Sequence, residues 1–301
     1  PRGLAFDADG NLIVAVAGSG GDQQIVAPGP EGETTFNVGL TGSVLSMAPD
    51  GTVSTLLQGI PSYASPQETT GVYRAIPHDG SLWLLYTTGG PFNPFTNAIV
   101  ELDMATGFPI RMFSPWQFEV ANNPDGNEID SNVTDLAWTA DGTMLISDAG
   151  ANSLYSWTEA DGLALVATWP ENAVPTSVEV ADNGDVYVGF LGAGLAPGAG
   201  KVERWSNGEL AETFGGLNAV SDILVDGDTV YAVELVRFGE QGPGPGGVIM
   251  LSADGPTPVV DGLLAPFGIA KGPDGALYVS YGTIAFGPGM PAGVVKIDMD
   301  M

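Results

Sequence analysis

An all-β propeller of six four-stranded blades, forming one domain over residues 1–301, is the fold the sequence predicts, on three observations. A strand–turn–strand unit recurs six times, further apolar strands follow each copy, and the 44 glycines and 23 prolines fall between short runs of Val, Leu, Ile and Tyr without a fixed period. Four short strands per repeated unit is propeller arithmetic. It also makes one domain of a length that could otherwise hold two.

The unit reads RGLAFDADGNLIVAV from Arg2, VYRAIPHDGSLWLLY from Val72, TDLAWTADGTMLISD from Thr134, TSVEVADNGDVYVGF from Thr176, SDILVDGDTVYAVE from Ser221 and FGIAKGPDGALYVSY from Phe267. Asp-Gly and Asn-Gly at its centre tolerate φ > 0 and so close tight antiparallel hairpins. Third strands follow at Ser43, Ala98, Ser153, Lys201, Gly247 and Gly293, and the first five units add a fourth, such as TVSTLL at Thr52 or LALVATW at Leu163. The blades are expected over about 1–57, 71–113, 133–169, 175–214, 219–260 and 266–301. The turn glycines of the later units, Gly142, Gly184, Gly227 and Gly275, recur near the roughly 40–45 residues of a four-stranded blade; the first two blades carry insertions. The sixth unit reaches Met301 after three strands, so the expectation is that its closing strand comes from a segment upstream of Pro1 or from another molecule by β-augmentation.

Thirty-six Asp and Glu against eight Lys and Arg give a formal charge of −28. Such a field repels phosphate backbones and anionic headgroups, which argues against nucleic-acid and membrane-surface partners, and it equally maintains solubility. No run of about 18 apolar residues offers a transmembrane span. The chain has no cysteine, which removes disulfides, thiolate catalysis and Cys-ligated metals. Only three lysines, Lys201, Lys271 and Lys296, lean the reading toward a secreted, extracellular or saline setting.

The third unit, DLAWTADGTMLISDAGANSLYSW, resembles an NHL repeat, whose second strand ends in Asp followed shortly by Asn, here Asp148 and Asn152. The stretches PRGLAFDADGNLIVAVAGSGGD, GLTGSVLSMAPDGTVSTLLQGIPSYA, ANNPDG, IDSN and GLLAPFGIAKGPDGALYVS resemble the ScyD/ScyE family, secreted propellers associated with gene clusters for scytonemin, an indole-phenol pigment. The resemblance covers nearly the whole chain. It implies a propeller outside the cytoplasm and very little chemistry.

Connections after first and third strands are uniformly tight. Those after second strands, and the crossings between units, hold every insertion: 17–42, 58–71, 87–97, 114–132, 190–199, 235–246 and 282–292. Long connections gathered on one face point to a binding surface. Its candidate contacts are Phe92, Phe95, Phe190, Leu191, Leu195, Phe238, Phe286 and Met290, which either line an apolar mouth for an aromatic small molecule or a protein partner, or pack as small cores beneath their own loops.

Residues 122–132, NNPDGNEIDSN, crowd oxygen donors onto one crossing. Asn123, Asp125, Asn127 and Asp130 suit Ca2+, which takes six to eight oxygens, or a hydrogen-bonded turn. Calcium-dependent propeller hydrolases and lactonases would instead need carboxylates or carboxamides at Arg2, Val72, Thr134, Thr176, Ser221 and Phe267, the ends of inner strands; none stands there. Strictosidine-synthase-like propellers use a channel glutamate, for which Glu234 is the candidate catalytic residue. His78 is the only histidine and precedes a turn glycine, which excludes a multi-histidine metal site. The Gly-rich runs lack the strand-to-helix context of phosphate loops. The leading functional expectation is a binding scaffold; a hydrolase and a strand-accepting assembly subunit are the alternatives.

Overall fold

The same hairpin loop closes four of the repeated units. Gly10, Gly142, Gly184 and Gly275 all sit at φ between 80° and 85°, each donating its N–H to the carbonyl three residues back, on Asp7, Thr139, Ala181 and Gly272. Those four residues in turn donate to Asn11, Thr143, Asp185 and Ala276, which closes the loop from outside. A side chain at that φ would clash with its own backbone, so glycine is required and the Asp-Gly and Asn-Gly signal follows.

The computed structural model describes residues 1–29, 32–66, 68–87, 97–239, 242–282 and 291–299, with 61% of the described residues in strand and 4% in helix. It divides into two compact units, Pro1–Ser114 with Ile269–Met301, and Pro115–Gly268.

In the first unit, β1 (Leu4–Phe6), β2 (Leu12–Val16), β3 (Gln23–Gly29), β4 (Gly32–Met47), β5 (Val53–Ala64), β6 (Thr69–His78), β7 (Ser81–Thr87), β8 (Ala98–Asp103) and β9 (Pro109–Phe113) form one sheet in the order β1-β2-β4-β5-β6-β7-β8-β9, with β3 paired to β4. The second unit opens on α1 (Trp116–Asn122) and continues with β10 (Val133–Trp138), β11 (Met144–Asp148), β12 (Ser153–Thr158) and β13 (Gly162–Thr168) as one four-stranded meander. A second meander holds β14 (Pro175–Val180), β15 (Val186–Phe190), β16 (Gly200–Ser206) and β17 (Glu209–Leu217), and a third β18 (Val220–Asp226), β19 (Thr229–Gly239), β20 (Gly242–Leu251) and β21 (Thr257–Leu263). The chain then returns to the first unit as a three-stranded sheet, β22 (Ile269–Lys271), β23 (Leu277–Tyr281) and β24 (Gly293–Ile297).

The all-β class is as predicted, but the hydrogen bonds delimit five sheets among the described residues, where six separate ones were expected. The physical reason is local. β5 runs past the end of its own meander, and Tyr63 and Ala64 pair with Thr70 and Thr69 of β6, which fuses two meanders into the nine-stranded sheet.

Thr134, Thr176 and Ser221, at the ends of inner strands, are buried. Two of their hydroxyls stitch consecutive meanders of the second unit, Thr134 Oγ1 donating to Pro175 O at 3.1 Å and Thr176 Oγ1 to Val220 O at 2.7 Å, and Ser221 Oγ donates to Phe267 O, in the segment after β21, at 3.0 Å. In the first unit Arg2 plays a similar part, with Nη2 donating to Thr69 O at 2.7 Å while Ser280 Oγ donates to Arg2 O at 2.6 Å. A buried carbonyl left without its donor costs the full desolvation of that group. Thr176→Val keeps the shape and removes the donor, so it is expected to lower stability by about 1–3 kcal/mol in urea denaturation; an unchanged midpoint would show that the stitch carries no weight.

Candidate functional site

The oxygen-rich crossing at 122–132 is built on α1. Pro115 precedes the helix at φ −64°, and Asn123 ends it in the left-handed region at φ 38°, its N–H donating to Glu119 O. From there the segment is pinned by side chains. Asn123 Nδ2 donates to Asn127 O at 2.9 Å. Buried Asp125 accepts Asn127 N and Asn127 Nδ2 at 2.9 Å each, and Asn152 Nδ2 at 2.8 Å. Asp148, wholly buried at the end of β11, accepts Ser131 Oγ and Asn132 N at 2.6 Å each, and Ala151 N at 3.1 Å.

The Asp148 and Asn152 of the NHL-like pattern are therefore structural anchors of the crossing. Asn152 sits at φ 45° and also accepts Val174 N at 3.0 Å through Oδ1, so one amide ties the crossing to the start of β14. Asn152→Ala is expected to cost about 1–3 kcal/mol, since it leaves a buried carboxylate oxygen and a backbone N–H short of partners. Thermal or urea unfolding checks this, and a loss below a few tenths would refute it.

The four metal candidates divide accordingly. Asn123, Asp125 and Asn127 are bonded to one another, with Asp125 and Asn127 making the turn that the same spacing allowed. Asp130 is exposed and its Oδ1 accepts Ser131 N at 2.8 Å. Among the described residues no three Asp, Glu or His side chains converge as a metal shell.

Sequence reasoning missed Glu119. It is the buried residue of α1, and Tyr155 Oη donates to its Oε2 at 3.4 Å. Burial, then the charges of Asp125 and Asp148, push its carboxyl up to about 7. Burial likewise raises Asp148 to about 6, against the hydrogen bonds from Ser131, Asn132 and Ala151. The Tyr155 hydroxyl is raised by burial and by Asp148. One signal could have found Glu119: an acid among the apolar residues of WQFEVAN, within a stretch from Met112 to Gly200 that has no Lys, Arg or His.

Both carboxyls titrate higher in the folded chain than in the unfolded one, so the folded state holds its protons longer. The stability they confer is complete below the ordinary carboxylate range and is lost as pH rises, up to about 6 for Asp148 and about 7 for Glu119. In chelator-treated protein the denaturation midpoint is expected to fall from pH 4.5 to 7, and Glu119→Gln to remove the part between 6 and 7. A flat wild-type profile over that interval would contradict the burial of these groups as charges.

The binding-face candidates land differently. Phe190 is 0% exposed. It ends β15, its ring stands edge-on to Trp169 at 4.8 Å, and Lys201 Nζ lies 4.7 Å from its centroid. This corrects its expected role, because a wholly buried ring has no surface to offer a ligand. Leu191 and Phe238 are half-buried and Leu195 is exposed. Phe92, Phe95, Phe286 and Met290 lie outside the described residues. His78 ends β6, with Nε2 3.6 Å from Asp79. Glu234, the catalytic candidate, is buried in β19. Its Oε1 accepts Asn218 N at 2.8 Å, and its Oε2 accepts Arg237 Nε at 2.6 Å.

Exposed apolar side chains also lie on a hairpin inside the 17–42 insertion. β3 and the first half of β4 pair from Gln23↔Val38 out to Gly29↔Gly32. Phe36 and Tyr63 make a small buried core there with Val38, whereas Ile25, Val26 and Leu40 face solvent.

No protein-family model and no curated protein sequence matches the chain. Solved structures do. Virginiamycin B lyase from Staphylococcus aureus aligns over 94% of this chain and 93% of its own, at 12% identity and a TM-score of 0.51. The fold is a β-propeller. A chain of the nidogen/laminin complex aligns over 81% and 84% at 12% identity with a TM-score of 0.53, and the calcium-binding protein regucalcin from Agrobacterium tumefaciens over 93% and 81% at 13% identity with a TM-score of 0.50. At these identities the propeller is shared in architecture alone, and its sites have to be argued from its own residues.

Proposed function

We propose that this propeller is a secreted six-bladed, NHL-like binding scaffold that presents a loop-rich face to an aromatic small molecule or a protein partner. The observation that carries this reading is the β3–β4 hairpin, which has its own Phe36–Tyr63 core and leaves Ile25, Val26 and Leu40 exposed, Ile25 and Val26 on opposite faces of the strand. Exposed apolar side chains kept on a rigid element are a contact surface in search of an occupant. The count of six blades is supported by reading the nine-stranded sheet as two meanders joined, among the described residues, through Tyr63 and Ala64. Secretion is supported by the ScyD/ScyE resemblance and the scarcity of lysine, and the same resemblance selects an indole-phenol as the first ligand class to test, in keeping with a role beside pigment synthesis.

Two alternatives rest on specific observations. β24 is the edge of a three-stranded sheet among the described residues, which supports strand addition from a partner. The architectural likeness to regucalcin, a calcium-binding protein, is in keeping with bound calcium, and against a catalytic Glu234 in the hydrolase alternative stands its engagement on both oxygens.

The test is a triple substitution, Ile25→Ser, Val26→Ser and Leu40→Ser. Each residue is exposed, so stability is expected to stay within about 0.5 kcal/mol per site. Saturable binding of an indole-phenol probe, followed by fluorescence, is expected in the parent chain and lost in the variant. Binding equal in both would remove the hairpin from the function, and no binding in the parent would turn the search to protein partners.

A further inference from the structure

From Met112 to Gly200 the chain carries no basic side chain, yet it buries carboxylates there. Glu119 is 0% exposed, and Asp125 and Asp148 add their charges to its surroundings. Its Oε1 has no hydrogen-bond partner, and neither do the buried Oδ1 atoms of Asn123 and Asn132. Three orphaned oxygens in one crossing are unusual, because buried polar atoms in native proteins are nearly always satisfied. Water or a cation is the usual occupant, and only a cation also offsets the charge.

We propose that Glu119 Oε1, Asn123 Oδ1 and Asn132 Oδ1 form a binding site for a hard divalent cation of the Ca2+ class. The neighbouring network holds the segment that carries these atoms. Asn123 Nδ2 is spent on Asn127 O, which fixes the amide so that its oxygen points elsewhere. Asn132 is held by its own N–H on Asp148 Oδ1. Asp125 and Asp148 are themselves filled by N–H and O–H donors, so they supply negative potential and orientation while the three free oxygens supply ligation.

The donor set is all oxygen, which selects against zinc and its nitrogen and sulfur ligands. The three donors come from a helix, its C-terminal cap and the lead into β10. Such a mixed set, completed by water, suits the irregular shell of Ca2+ better than the strict octahedron of Mg2+. The site differs from the four residues the sequence singled out, of which only Asn123 is retained as a ligand, and it is independent of the hairpin surface.

Tb3+ is the probe. Tyr155 Oη lies 3.4 Å from Glu119 Oε2, so excitation of tyrosine should sensitise a lanthanide bound there. The full chain, stripped with chelator, is expected to give saturable Tb3+ emission that Ca2+ displaces, and Ca2+ is expected to raise its melting temperature by mass action. Glu119→Gln is expected to weaken Tb3+ binding about tenfold or more, and Asn132→Asp to retain it. Asp141→Asn, at an exposed turn of the same unit, is expected to bind as the parent does. The proposal is overturned if the parent gives no saturable emission, if Glu119→Gln binds equally well, or if Asp141→Asn loses as much. Should Glu119→Gln fail to fold, Asn123→Ala reads the same affinity, and unchanged binding in it would equally overturn the site.

Discussion

Phe190→Ala is expected to destabilise the chain by about 3–5 kcal/mol, among the largest effects of any single substitution in it. The ring is wholly buried in a cluster with Leu145, Leu154, Trp169, Val178 and Val188, so truncation removes transfer energy and leaves a cavity that rigid sheet neighbours cannot close. Two further contacts go with it. The edge-on ring of Trp169 at 4.8 Å loses its partner, and Lys201 loses the aromatic face 4.7 Å from its ammonium. Trp169 is itself fixed by donating to Glu203 Oε2 at 3.1 Å, a carboxylate that also accepts Trp205 Nε1 at 3.0 Å and pairs with Lys201 at 2.7 Å. The cavity therefore opens beside a polar network that needs its geometry kept. Chemical denaturation measures the loss, and a value below about 1 kcal/mol would return Phe190 to the list of ligand contacts.

Phe190, for which the sequence left a ligand contact and a packed core position both open, shows where the sequence stops being legible. The repeated hairpins were readable because their turns demand glycine at positive φ, a constraint written at one position. Phe190 is the last residue of β15, and whether the end of a strand faces the core or a ligand depends on the neighbouring meander, which has no local signature. The fusion of two meanders through Tyr63 and Ala64 is hidden for the same reason. The site behaved similarly. Asp125 and Asn127, two apart, have the spacing of cation ligands and equally that of a side-chain-closed turn, and the N–H of Asn127 on Asp125 Oδ1 shows that the turn is made. Glu119 stayed unseen because its importance lies in what is missing around it, a cation within reach, and only burial makes that absence costly.

The other large effect concerns Glu234 and its partner. Arg237→Met is expected to cost about 3–5 kcal/mol, because it strips the guanidinium from a carboxylate that β19 keeps buried. Arg237 Nε meets Glu234 Oε2 at 2.6 Å, and Arg237 Nη1 pairs with Asp261 of β21, so the side chain clasps a single four-stranded sheet. Glu234→Gln is expected to be far milder. The amide oxygen can still accept Asn218 N, the contact made at 2.8 Å, and no buried charge is left behind. The double variant should recover much of the loss, since the penalty of the single one is the orphaned charge rather than the missing attraction. Equilibrium unfolding of the four proteins gives the coupling directly. Additive losses would mean the pair is not a unit, and Glu234 would then be free to act as an acid in its own right. A strong coupling instead identifies the glutamate as a structural counter-charge, with Asn218 and Arg237 as the groups it exists to hold.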